Sequence, residues 1–158
     1  MAEAPLRSSV RIRPSPARLA LGFAAGFLAV LVFHQSMYAF LYAIGYIANP
    51  PYPVQPIPPF GLPRFWSLAF WGGVWGIIFV LVEQYFPRGA KYWLAALLFG
   101  ALAPSLVDWF IVAPIKGTPI AGGWKIDAMM RGLILNGAWG LGTAAVLWLF
   151  ARVSGSRP

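Results

Sequence analysis

The chain has 158 residues, 59% of them hydrophobic and 10% charged, with a mean hydropathy of +0.70 and a formal net charge of +8. That balance excludes an ordinary water-soluble domain and describes a membrane protein, in which crossings of about 20 apolar residues each must fill most of one short domain. The absence of cysteine excludes disulfides and thiolate sites, and basic residues scattered at the ends of apolar runs, unclustered with aromatics, exclude a nucleic-acid partner in favour of the lipid bilayer.

Residues 1–17, with Pro5, Pro14, Pro16 and three arginines, read as a disordered basic tail lying on anionic lipid. The first apolar run covers about 19–47. A signal peptide over residues 1–35 has a similar outline, but the run continues past Gln35 to Ile47 with no small-x-small site to close it. The segment NPPYPVQPIPPFGLP, residues 49–63, holds seven prolines and no charge. Proline fixes φ and removes donors, so a stiff extended connector is expected there. Apolar runs of about 65–85, 92–114 and 132–151 follow, each bounded by charge, proline or glycine, and residues 153–158 form a second tail. Only helices and closed barrels satisfy their backbone in lipid, and these runs are continuously apolar rather than alternating. The expected fold is therefore all-α, a polytopic four-transmembrane-helix bundle spanning residues 18–152.

Lysine and arginine are retained on cytoplasmic flanks during insertion. Arg7, Arg11, Arg13, Arg18, Arg88, Lys91, Arg152 and Arg157 fall on one side, and Arg64, Lys116, Lys125 and Arg131 on the other. That bias puts both termini in the cytoplasm. Tyr46, Trp66 and Trp124 at one face, with Tyr85, Tyr92, Trp93 and Trp148 at the other, suit interfacial belts. Glu83, beside Gln84, Arg88 and Lys91, reads as part of an interfacial loop with surface ion pairing.

Helices in lipid pack by close approach at small residues four apart. Gly22, Gly26, Val30 and His34 make such a stripe in the first helix, and Gly72 and Gly76 in the second. Ala96, Gly100, Pro104 and Asp108 make one in the third, and Gly132, Asn136, Gly140 and Ala144 in the fourth. GVWGI at 73–77 matches GAWGL at 137–141, and a glycine stands eight residues before both His34 and Asp108. These coincidences suggest two parallel helical-hairpin repeats.

His34 lies 16 residues after Arg18 and Asp108 lies 17 after Lys91, which puts both at one depth, and they are expected to face the interior with Gln35, Tyr38 and Asn136. A carboxylate in hydrocarbon needs a partner, and an imidazole at its level is the natural one. Such a buried polar cluster supports either a structural, accessory or assembly subunit pinned by hydrogen bonds, or a small proton- or ion-linked transporter using His34 and Asp108. An enzyme is not expected, because no nucleophile motif or paired carboxylate occurs. A single histidine supplies neither a haem nor a metal site, so no cofactor is expected.

The segments FHQ at 33–35, PPFGLP at 58–63 and FWGGVWG at 70–76 give the chain a resemblance to uncharacterised small four-helix inner-membrane proteins of proteobacteria. The resemblance implies a bacterial inner membrane and transfers no activity. A larger membrane complex or a homo-oligomer is the expected protein partner. The chain does not look like small multidrug exporters, which carry a carboxylate near the start of their first helix.

Overall fold

A computed structural model describes residues 14–153. Most of the two expected tails, residues 1–13 and 154–158, lies outside the described residues. Among the described residues four helices are long and apolar enough to cross a membrane: α1 (Pro16–Ala43), α2 (Arg64–Glu83), α3 (Ala90–Ile115) and α4 (Ile126–Val153).

Helix α1 starts ahead of its expected boundary because Ser15 caps it, its hydroxyl accepting from the Arg18 N–H at 3.2 Å, with Pro16 in the first turn. It ends at Ala43 rather than near residue 47. Gly45 takes φ 76°, and the N–H groups of Tyr46 and Ile47 turn back to the Leu41 carbonyl. The proline-rich segment then forms a two-residue hairpin, β1 (Pro56–Ile57) against β2 (Leu62–Pro63), pairing Pro56 with Pro63 and Ile57 with Leu62. The Pro53 and Gln55 carbonyls accept from Phe65 and Arg64, so this loop caps the start of α2.

Helix α4 begins six residues earlier than the apolar run implies. Asp127 and Arg131, which end that run in the sequence, stand one turn apart at 3.8 Å on an exposed end. A helix leaving an apolar region carries such charges without breaking. Before α4, Ala121, Gly122, Gly123 and Trp124 make a short turn with positive φ throughout.

The helices lie in the order α2, α1, α4, α3. α1 and α2 touch along a glycine seam. A Cβ on Gly22 would stand 2.7 Å from the Gly76 carbonyl oxygen, and one on Gly72 2.9 Å from that of Gly26. α3 and α4 repeat the arrangement: a Cβ on Gly100 would meet the Asn136 carbonyl oxygen and the Gly140 Cα, both at 2.6 Å, and one on Gly140 would strike Ala96. Gly142 seats the ring of Phe33 and joins α1 to α4. α2 and α3 meet through large aromatics instead. Phe79, fully buried, presents its ring edge-on to Phe99 at 5.5 Å and to Trp139 at 6.4 Å.

Two interruptions bend the ladders. In α1 the stretch Val30–His34 is a π turn, and in α3 Asp108–Val112 is another, one turn after Pro104.

Overpacking at the seams is the expected weak point. Gly26→Ala and Gly140→Ala should each lower stability by about 1–3 kcal/mol, read as the unfolding midpoint in mild detergent. Unchanged midpoints for both would show that the backbones do not touch.

Candidate functional site

The π turn in α1 shifts the face that the rest of the helix presents. The buried positions run Gly22, Gly26, Val30 and then Gln35, a step of five where an unbroken stripe would give His34. Gln35 is therefore the fully buried residue, and His34 is turned aside and half-buried. The same turn frees a carbonyl. The Gln35 N–H, which an α-helix would direct to Leu31, goes to Val30 and Val32. The Tyr52 hydroxyl takes up the Leu31 carbonyl at 2.7 Å, while the Tyr52 N–H donates to Gln35 Oε1, also at 2.7 Å. The proline-rich loop is thus strapped to α1 at its π turn by one residue, which holds φ at 53° to reach both partners. Gln35 Nε2 and His34 Nδ1 are buried with no hydrogen-bond partner among the described residues.

In α3 the buried positions run Ala96, Gly100, Ser105 and Ala113, again with a step of five at the Pro104 break. This corrects the expected stripe. Pro104 and Asp108 leave the packed face, and Ser105, unflagged in the sequence, enters it. Asn136 finds Ser105, its Nδ2 donating to the hydroxyl at 2.9 Å across the α3–α4 seam. Asp108 is exposed, with no hydrogen bond or ion pair among the described residues. It does not join His34. Tyr38 packs beside Leu41, Ile47 and Leu135. The five residues expected as one cluster are thus distributed, and no hydrogen bond links any two of them.

Three further contacts carry polar chemistry. The Trp139 indole N–H donates to the Gly26 carbonyl at 2.9 Å, and that oxygen also accepts from Val30. Thr143, fully buried, returns its hydroxyl to the Trp139 carbonyl at 3.0 Å. At the end of the bundle holding Pro16 and Val153, Glu83 takes an Arg18 guanidinium hydrogen bond and the Tyr92 hydroxyl, both at 2.6 Å. This corrects the reading of Glu83 as a surface group beside Arg88 and Lys91: one carboxylate ties α1, α2 and α3. Its sequence signal was the lone acid closing an apolar run, with a tyrosine nine residues on.

The open groove between α1, α3 and α4, about 740 Å³, is walled by Val32, Phe33, Met37, Phe40, Leu97 and Leu141 among others. Ser36 is the one polar side chain in its lining, so the groove suits hydrocarbon. No group of three or more possible metal ligands occurs among the described residues. Compared with protein-family models, curated proteins and solved structures, the chain matches none, so its own residues carry the functional reading.

The strap has a measurable strength. Tyr52→Phe removes one hydroxyl bond and should cost about 0.5–1.5 kcal/mol. Gln35→Ala leaves a cavity and an unpaired Tyr52 N–H, and should cost more, about 2–5 kcal/mol. Equal effects in thermal melts would show that Gln35 does not hold the loop.

Proposed function

We propose that this chain is a multi-pass protein of a bacterial inner membrane that serves as a structural, accessory or assembly subunit, with no enzymatic activity. The observation that carries this reading is what its interior polar groups do. Trp139 fastens α4 to α1, Asn136 fastens α4 to α3, Tyr52 fastens the loop to α1, and Glu83 fastens three helices at one end. Each polar group in this set spends its hydrogen bonds on holding elements together. Such a set gives a stiff scaffold.

The distribution of lysine and arginine, eight on one set of flanks and four on the other, supports cytoplasmic termini. The resemblance noted above supports the inner membrane, and the composition supports the lipid bilayer as partner and no nucleic acid; a larger membrane complex or a homo-oligomer and the lack of a cofactor belong to the same proposal. The seam contacts support two parallel hairpin repeats. Gly22 meets Gly76 and Gly26 meets Gly72, as Ala96 meets Gly140 and Gly100 meets Asn136. A shift of 74 residues in the first helix of each hairpin and 64 in the second turns one seam into the other.

A proton- or ion-linked transporter is the second reading, and the unpartnered His34 Nδ1 favours it. It lacks the acid it needs, since Asp108 faces outward. Purification in mild detergent separates the two. The accessory reading expects stoichiometric co-isolation with a larger assembly and no pH-dependent flux when the chain alone is reconstituted into vesicles. A flux abolished by Asp108→Asn would overturn it in favour of transport.

A further inference from the structure

Asp108 is an exposed carboxylate on a helix long and apolar enough to cross a membrane, seven residues before its end at Ile115. At 1.5 Å per residue that is about 10 Å below the helix end, near the level at which Arg131 bounds the apolar run of α4. An ionisable group so placed is retained against a standing cost and normally has a partner. The described residues offer it none: their ion pairs are Arg18 with Glu83 and Arg131 with Asp127.

A cation of matching height stands on the neighbouring helix. Gly132 of α4 packs on α3 where a Cβ would lie 3.7 Å from Trp109 Nε1 and 3.9 Å from Ser105 Oγ. Asp108 and Arg131 are each one residue from that contact, at the same level on adjacent helices, yet they do not pair within the chain. Arg131 reaches only Asp127, one turn back at 3.8 Å, with both side chains well exposed. Most of its donors stay unused. Helix α3 is also the barest of the four. In the most apolar stretch of α3, 17% of residues are buried, against 28% in α1, 33% in α2 and 44% in α4. Leu94, Leu98, Leu102, Leu106 and Phe110 stand half-exposed at every fourth position along it.

We propose that the α3–α4 face docks a second copy of this chain about a twofold axis, pairing Asp108 of each copy with Arg131 of the other. In an isologous contact one complementary pair becomes two, because residue i meets j and j meets i. The pairing satisfies a carboxylate and a guanidinium that the single chain leaves open. It adds to the accessory reading and does not require it.

The symmetry makes the test specific. Full-length chains bearing two different tags are co-expressed, and co-isolation in mild detergent is measured. Asp108→Arg against itself, and Arg131→Asp against itself, place like charges together twice, so co-isolation should fall at least about tenfold in each case. Asp108→Arg in one copy with Arg131→Asp in the other restores both pairs, and co-isolation should return close to the level of the unaltered chain. Each variant alone should keep its unfolding midpoint, since neither residue ties the fold together. Failure of the mixed pair to reassociate, indifference to the single changes, or a collapsed midpoint for Asp108→Asn would overturn the proposal. So would capture by a different protein that depends on Asp108, a result that leaves the accessory reading standing, whereas flux from the reconstituted chain defeats that reading and leaves the dimer intact.

Discussion

Where Gly26 meets Gly72 and Gly76, two helix backbones touch with no side chain between them, and much of the bundle is set by that closeness. Apolar burial gives helices no reason to associate in hydrocarbon, so contact has to come from dispersion and from whatever polar groups the approach exposes. Bare glycine also leaves its carbonyl accessible from the side. The Gly26 oxygen keeps its helical bond from Val30 and still receives the indole of Trp139. A larger residue at position 26 would remove both the α1–α2 contact and the α4 bond. The second seam works the same way, with Asn136 beside Gly100 and its amide turned to Ser105.

The seams were legible in the sequence because they obey a simple period. Gly22, Gly26, Gly72, Gly76, Gly100 and Gly140 lie in close packed contacts as their four-residue spacing implies. The same rule failed at Val30 and at Gly100, where the next buried residue comes after five positions instead of four. A π turn or a proline break adds one residue to the turn, and one residue rotates the following face by about 100°. Hence Gln35 took the place expected for His34, and Ser105 the place expected for Pro104. Nothing local marks the π turn at Val30–His34, whose residues are ordinary helix formers. What meets it lies elsewhere in the chain: Tyr52 binds the carbonyl and the side chain that the turn presents.

The boundaries that moved show the same limit. An apolar scan ends α4 at Arg131, but a helix needs only hydrogen bonds, and Asp127 with Arg131 continues them to Ile126. It extends α1 to Ile47, although Gly45 at φ 76° turns the chain at Ile44. Composition tells where lipid is tolerated, not where the ladder of hydrogen bonds stops. Glu83 was misplaced for a related reason. Its neighbours in sequence are Arg88 and Lys91, and its partners in space come from the starts of α1 and α3.

The placing of charge follows from desolvation. Burying a neutral hydrogen-bonded pair costs far less than burying ions, whose attraction repays desolvation only in near-ideal geometry. Accordingly the deep contacts use indole, amide and hydroxyl groups, as in Trp139, Asn136, Ser105 and Thr143. Among the described residues the one strong ion pair, Arg18 with Glu83, sits at the end of the bundle, and a tyrosine hydroxyl completes the carboxylate. Among the described residues Asp108 departs from this allocation: an acidic side chain away from the helix ends and bare of partners within the chain. Apart from Gln35 Nε2 and His34 Nδ1, the deep polar side chains named above find partners within the chain, whereas Asp108 is left open on an outward face, where a neighbouring molecule reaches it.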